Sequence, residues 1–326
     1  MEFRTAIKPE RSALRIAYND SLFLLGSCFA SEIGSWLKRT KFNVTINPFG
    51  VLYNPASVAG ALRILIGGQT LSNDDLFCYR GRYLSFRHDT SFSNPDPFVA
   101  LDKINKSIAE GSRKLKTASC LFITFGTARI YRLKSNNEIV SNCHKIPAGE
   151  FTREILGQDD IADQWSTLLA DIREYNPALK IIFTVSPVRH WKDGAYGNQL
   201  SKSVLFVAID KIIKQNPGTS YFPGYELVMD DLRDYRYYAD DLLHPSSMAV
   251  EYIWDFFKAS YFDTDTGKLA DKILKITRAY EHITGTSDIE ELRLFGRNML
   301  EKIDAIVATN KEIDLSAERE YFSKLV

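Results

Sequence analysis

The chain has no long apolar run. Its longest stretch, Val204 to Ile209, is six residues, where a membrane-spanning helix needs about 18 or more. No crossing segment is expected. Neither sign of charge is in excess: 41 Lys and Arg stand against 41 Asp and Glu in 326 residues. Nucleic-acid sleeves and membrane-surface binders carry surplus basic charge, so neither nucleic acid nor membrane is an expected partner. Glycine (18) and proline (11) are too sparse for a collagen-like or disordered chain. The cysteines, Cys28, Cys78, Cys120 and Cys143, include no Cys-x-x-Cys pair, which argues against a zinc site, a thioredoxin motif or a disulfide scaffold. His88, His144, His190, His244 and His282 lack the H-E-x-x-H spacing, so no metal and no cofactor is expected. A P-loop, a G-x-G-x-x-G and a G-x-S-x-G elbow are also missing.

The first twenty residues mix charged and apolar side chains and offer no signal-peptide core. Leu25-Gly26-Ser27-Cys28 mimics a lipoprotein cleavage box. Only Leu22 to Leu25 is apolar ahead of it, however, and Asn19-Asp20 comes before. The expected location is the cytoplasm.

What is present alternates strand and helix. Leu22–Leu25 reads as a buried strand ending at Gly26-Ser27, followed by a helix with Ala30, Ile33 and Leu37 on one face. Val44–Ile46 gives a second strand, and Pro55 opens a second helix. Residues 76–86 read as a hairpin turning at Arg80-Gly81-Arg82, and a further hairpin-like stretch lies around Ile130-Tyr131 and Ile139-Val140. Strands are predicted at Ser119–Phe125, Lys180–Val185 and Tyr225–Met229, and helices at 98–114, 159–175, 198–214 and 247–262. That alternation predicts a mostly parallel sheet covered on both faces, with ligands at the carboxyl ends of its strands. Beyond 262 the pattern changes to a helical hairpin. One stripe is Leu269, Ile273, Ile276, Tyr280 and Ile283, and Gly285 ends it. Ser287 and Glu290 form a capping box for the second helix. The expected organisation is an α/β domain over 1–262 and a C-terminal helical extension over 263–326.

Two polar features stand at the predicted strand ends. Ser27 follows the first strand at a helix N-terminus, where free N–H groups and the helix dipole stabilise a developing oxyanion. The plainer reading is a helix N-cap. Asp241 stands three residues before His244, a spacing that lets a carboxylate orient an imidazole from behind. The plainer reading there is a loop capping the last helix through Asp241, Ser246 and Ser247. Arg189 and His190 follow a predicted core strand and suit contact with a substrate or anion; a structural salt bridge is the alternative. Cys143-His144 could be a thiol–imidazole pair, although adjacent residues rarely face each other. Ser35-Trp36-Leu37-Lys38 matches S-x-x-K by chance on a helix face.

The chain resembles the GSCFA family through Gly26-Ser27-Cys28-Phe29-Ala30, Asn47-Pro48-Phe49-Gly50-Val51-Leu52-Tyr53-Asn54-Pro55, Asn142-Cys143-His144-Lys145-Ile146-Pro147, Ser186-Pro187-Val188-Arg189-His190-Trp191, Tyr221-Phe222-Pro223, Asp231-Leu232-Arg233-Asp234-Tyr235-Arg236 and His244-Pro245-Ser246. That family is similar to SGNH/GDSL-type hydrolases. The resemblance implies a flavodoxin-like three-layer α/β/α sandwich. It also implies a serine nucleophile after the first strand and an Asp-x-x-His before the last helix of the domain: Ser27, Asp241 and His244. Gly50 matches the glycine whose backbone N–H joins that of Ser27 in the oxyanion hole. The usual Gly-x-Asn reads Gly126-Thr127-Ala128 here, so its asparagine is absent, and Asn54 and Asn142 are candidates for the amide. His144, Arg189 and His190 join Gly126 as further oxyanion or substrate candidates.

These features suggest an esterase working through an acyl-enzyme on a small-molecule or carbohydrate ester, by analogy an acetyl group on a sugar. An acyltransferase using the same residues, a non-catalytic binding module and a Cys28 nucleophile are the alternatives. Against the last, one helical step re-aims a side chain by about 100°, so Cys28 is expected to point back among Leu24 and Ile33. The two apolar stripes of the C-terminal helices need a cover, supplied by the α/β domain or by a homodimer.

Overall fold

Five short strands form the central sheet. They are β1 (Ser21–Gly26), β2 (Asn43–Ile46), β5 (Cys120–Phe125), β9 (Lys180–Val185) and β10 (Thr219–Tyr221), in the spatial order β10-β9-β5-β1-β2. The computed structural model describes residues 4–282 and 289–326. β1 runs parallel to β5, β5 to β9 and β9 to β10. Leu22 to Gly26 and all of β5 are buried, which is why both read as continuous apolar runs rather than alternating ones. Two smaller antiparallel sheets accompany the central one: the hairpin β3 (Phe77–Tyr79) with β4 (Arg82–Leu84), and β7-β6-β8 from β6 (Arg129–Leu133), β7 (Ile139–Val140) and β8 (Phe151–Ile155).

The helices are α1 (Cys28–Arg39), α2 (Pro55–Gly67), α3 (Pro97–Lys116), α4 (Gln158–Tyr175), α5 (Gly194–Gln215), α6 (Gly224–Glu226), α7 (Ser247–Tyr261), α8 (Thr264–Glu281), α9 (Ile289–Thr309) and α10 (Ser316–Ser323). Local chemistry starts several of them. Asn54 caps α2 by accepting the Ser57 N–H at 2.8 Å, and Pro55 supplies the fixed φ of a first turn. α2, α4 and α5 bury Leu62, Leu65, Trp165, Leu169, Leu205 and Ile209 in one core with Phe23, Ile123 and Phe183 of the sheet. Each such side chain, fully removed from water, contributes roughly 1.5–3 kcal/mol. This is the α/β architecture with a mostly parallel sheet that the alternating pattern predicted.

One predicted strand is helical. Tyr225–Met229 is helical, in α6 and the single π-turn Leu227–Asp231 that follows. The fifth strand of the central sheet is Thr219–Tyr221, parallel to β9, which Gly218 and Pro223 bracket. Tyr225, Leu227 and Val228 are buried on a helical turn, and a short apolar run cannot separate a buried strand from a buried helix.

The chain divides into two units, Met1–Lys8 with Leu22–Gly34 and Thr45–Ile253, and Pro9–Ser21 with Ser35–Val44 and Trp254–Val326. The second therefore contains more than the extension drawn at 263. Within it Trp36 stacks on Trp254, Tyr18 stacks on Phe42, and Thr277 Oγ1 donates to Arg39 O at 2.8 Å. Its last helix, α10, sets Phe322 against Phe295 and Tyr321 against Tyr280, and Glu318 pairs with Lys41 at 2.6 Å. Ile283, Gly285 and Ser287, read as a helix end and a cap, lie outside the described residues.

Candidate active site

The first unit holds a cavity of about 690 Å³ at the carboxyl ends of β1, β5 and β9, lined by Ser27, Cys28, Asn54, Thr127, Ser186 and His190 among others, and reached by His244. The turn carrying Ser27 depends on Gly26. Its φ is +136°, and a Cβ there would lie 2.1 Å from Thr124 O. Asn47, just past β2, fixes this turn from the side. Its Oδ1 accepts the Gly26 N–H at 2.8 Å, and its Nδ2 donates to Ser31 Oγ at 2.8 Å. Ser27 is 1% exposed, and its Oγ accepts the Phe29 N–H at 3.3 Å, so it caps α1 while lining the cavity. The capping reading of Ser27 is thereby observed.

Asp241 and His244 meet as their spacing suggested. Asp241 Oδ2 lies 2.6 Å from His244 Nδ1, while Oδ1 accepts the Leu243 and His244 N–H groups at 2.9 Å each. Those N–H groups and the imidazole bring the Asp241 carboxyl down to about 2. With a carboxylate on Nδ1, the proton sits there and Nε2 keeps its lone pair. Leu242 takes φ +58° to close the turn, and Ser246 N–H to Tyr237 O at 2.8 Å anchors the loop. Among the described residues no hydrogen bond joins Ser27 Oγ to the ring of His244 or His190.

Several expected oxyanion donors are already engaged. The Ser27 N–H donates to Thr124 O at 3.2 Å and the Gly50 N–H to Asn47 O at 2.8 Å. Gly126 and Thr127 N–H both donate to Tyr53 O, at 2.7 and 2.9 Å. This corrects the roles given to Gly50, Gly126 and the Ser27 amide: a turn after β2 takes the Gly50 N–H, and carbonyls of Thr124 and Tyr53, distant in the chain, take the other two. Two remain. No helical bond uses the first N–H of α1, at Cys28. Asn54 lends only its Oδ1 to capping, and its side chain lines the cavity. Asn142 also lines the cavity and uses its Oδ1 on the His144 N–H at 2.8 Å.

His144 is a second correction. It is buried, with Nδ1 3.2 Å from Thr90 Oγ1 and Nε2 2.8 Å from Ser85 O, so both ring nitrogens hold loops together and neither faces the cavity. Cys28 is a third. It is half-buried and lines the cavity beside Ser27, because Ser27 precedes the helix and a helical step does not separate the two. Burial, reinforced by Glu32, pushes its thiol up. His190 does face the cavity. A Cβ on Gly126 would meet Tyr53 O at 3.1 Å, His190 Nε2 at 3.3 Å and Ser27 Cβ at 3.5 Å, so these groups crowd one point. Burial, and then the charge of Lys202, takes His190 down to about 4 and leaves it neutral near pH 7.

Lys202 is a buried cation that the sequence motifs do not mark. Its Nζ is fully buried and donates to Gly126 O and Ser186 O at 2.6 Å each, tying the ends of β5 and β9 beneath the cavity. A signal existed: Lys202 shares its helical face with Leu205, Ile209 and Ile212, where a lysine is out of place. The ion pairs of Asp193 with Arg129 and Arg153 had no such signal, since they join distant segments.

Among curated proteins none matches the chain. A solved structure similar to it is an acetyl xylan esterase, Est2A, from the rumen bacterium Butyrivibrio proteoclasticus, at 10% identity and a TM-score of 0.35. The match covers 74% of this chain and 64% of that one, and a likeness so distant carries no argument about activity. Lineage is plain on other grounds. The turn Gly26-Ser27-Cys28-Phe29-Ala30 lies inside residues 21–257, which the model of the GSCFA family matches, and the chain belongs to that family.

Proposed function

We propose that the chain is a serine hydrolase acting on esters. The observation that carries this reading is one cavity shared by Ser27, at the mouth of α1, and by His244 with Asp241 bonded behind its ring at 2.6 Å. Ser27 Oγ attacks the ester carbonyl while His244 Nε2 takes its proton. Asp241 holds the ring and balances the imidazolium. The Cys28 N–H and the Asn54 amide receive the oxyanion, aided by the positive end of α1. His244 then protonates the leaving alcohol, and water, activated by the same ring, releases the acyl group. The serine must turn from its capping bond to reach the imidazole; nucleophile–base contacts are often loose without substrate.

A second assignment of the base rests on His190, whose Nε2 and the Ser27 Cβ flank the same point above Gly126. Among the described residues no carboxylate is hydrogen-bonded to the His190 ring, and a proton holds poorly there. The test is turnover of 4-nitrophenyl acetate by the full chain. Ser27→Ala and His244→Ala each lower kcat by about 10³-fold or more, and Asp241→Asn lowers it strongly. His190→Ala loses far less. A dead His190→Ala beside an active His244→Ala moves the base to His190. Full turnover by Ser27→Ala ends the serine mechanism.

A further inference from the structure

The wall of the catalytic cavity is one-signed. The chain as a whole balances 41 basic against 41 acidic side chains. The cavity is nevertheless lined by Arg129, Lys145, Arg153, Arg189 and Lys192 and by no Asp or Glu. The cations differ in what they face. Behind the wall the buried carboxylate of Asp193 pairs with Arg129 at 3.4 Å and with Arg153. Lys192 rests on Tyr131, its Nζ 3.2 Å from the neutral hydroxyl. Lys145 is exposed at the cavity and makes no ion pair among the described residues.

Arg189 is the most telling of them. It lines both the catalytic cavity and a neighbouring groove that includes Trp191, Tyr235 and Tyr238. Its Nε is buried without a hydrogen-bond partner, and one of its terminal nitrogens reaches only the thioether of Met229, at 3.4 Å. Thioether sulfur is a weak acceptor, and a buried N–H without a partner is costly; the half-buried Arg189 therefore has donors to spare for an anion. No carboxylate of the described residues stands within ion-pair distance, so the structural salt bridge is excluded among them. The planar fork of donors suits the two oxygens of a carboxylate or a phosphate.

We infer that this cavity takes an anionic ester, one whose carboxylate or phosphate group is held by Arg189 while Lys145 and Lys192 draw it in from the exposed rim. The ester half of this statement rests on the serine-hydrolase reading; the anion half does not. Three substrates separate the sources of charge: 4-nitrophenyl acetate is neutral, mono-4-nitrophenyl succinate carries a carboxylate on its acyl half, and the 4-nitrophenyl ester of 3-phosphonopropionate carries a phosphate-like phosphonate at the same place. Each is assayed with wild type, Arg189→Met and Arg189→Lys. Thermal shift with succinate and with inorganic phosphate reads binding without turnover.

The expected result is that Arg189→Met lowers kcat/KM for one anionic substrate by at least about tenfold more than for 4-nitrophenyl acetate, with partial rescue by Arg189→Lys. Rising salt weakens only the anionic reaction. Which anionic substrate shows the effect identifies the group. Should Arg189→Met fail to fold, the exposed pair Lys145→Ala/Lys192→Ala makes the same comparison, with an expected loss of about fivefold. Turnover of no ester, with succinate or phosphate stabilising wild type and not the variant, keeps the anion site and ends the hydrolase reading. Turnover of the neutral ester with no anion preference and no anion binding overturns the inference and leaves the hydrolase reading standing. Neither turnover nor anion binding overturns both.

Discussion

Ser27 and Cys28 sit side by side at one cavity, and their local chemistry distinguishes them. The Cys28 thiol is pushed up by burial and by Glu32, which keeps it protonated and a poor nucleophile. The Ser27 hydroxyl needs only the transfer of its proton to an imidazole. Cys28→Ala therefore keeps ester turnover within about tenfold of wild type, since the backbone N–H survives the change, whereas Ser27→Ala removes it. Labelling by a thiol-selective reagent should be slow in the folded protein; fast labelling with parallel loss of activity would make this a cysteine enzyme. Gly26 offers a harsher test. Any side chain there meets Thr124 O at 2.1 Å with φ at +136°, so Gly26→Ala costs roughly 2–4 kcal/mol in urea unfolding. A variant of wild-type stability would show that the turn can relax.

At the scale of elements, the strand ends are tied together beneath the cavity. Lys202 of α5 bridges Gly126 O after β5 and Ser186 O after β9. Lys202→Met leaves both buried carbonyls without that donor, and stability falls by about 2 kcal/mol near neutral pH. The pH dependence has a defined sign. Burial brings Lys202 down to about 7, below its ordinary value of 10.5. Between those limits the unfolded chain binds more protons at this residue than the folded chain does, so folded stability rises with pH. Below 7 both states hold the proton and the residue adds no slope. A neutral amine still has two N–H groups for its two carbonyls, so the bridge survives deprotonation. Urea unfolding at pH 6, 7.5 and 9 should show wild type gaining on Lys202→Met as pH rises. A gap constant with pH would mean that the lysine keeps its ordinary proton affinity.

For the whole molecule, the second unit draws on both ends of the chain. Residues 9–21 and 35–44 share it with α8, α9 and α10, and it buries Tyr18, Trp36, Phe42, Ile273, Ile303 and Phe322. Ending the chain at Phe262 therefore does not trim an appendage; it removes most of one unit and strands the aromatic side chains of the rest. The truncated chain should aggregate, or melt about 10 °C or more below full length. A soluble monomer of unchanged Tm would show that α8–α10 are dispensable. Among the described residues no helix is long and apolar enough to cross a membrane.

Sequence alone determined what depends on neighbours along the chain. Apolar runs named β1, β5 and β9, Pro55 behind Asn54 opened α2, and three residues of spacing were enough for Asp241 to reach the His244 ring. These are short-range effects: pleat, helical period, cap and turn. Tertiary structure decided which N–H groups were left free. Gly50 looked like an oxyanion donor until Asn47 claimed its N–H, and His144 looked like a site residue until Thr90 and Ser85 took both ring nitrogens. Tertiary structure also gathered Arg189 and four other cations around one cavity in a chain of no net charge, and buried Lys202 beneath it. The reason is physical. Propensity and periodicity are carried by a few adjacent residues, but a hydrogen bond or an electric field depends on every group the fold brings near, whatever its number in the chain.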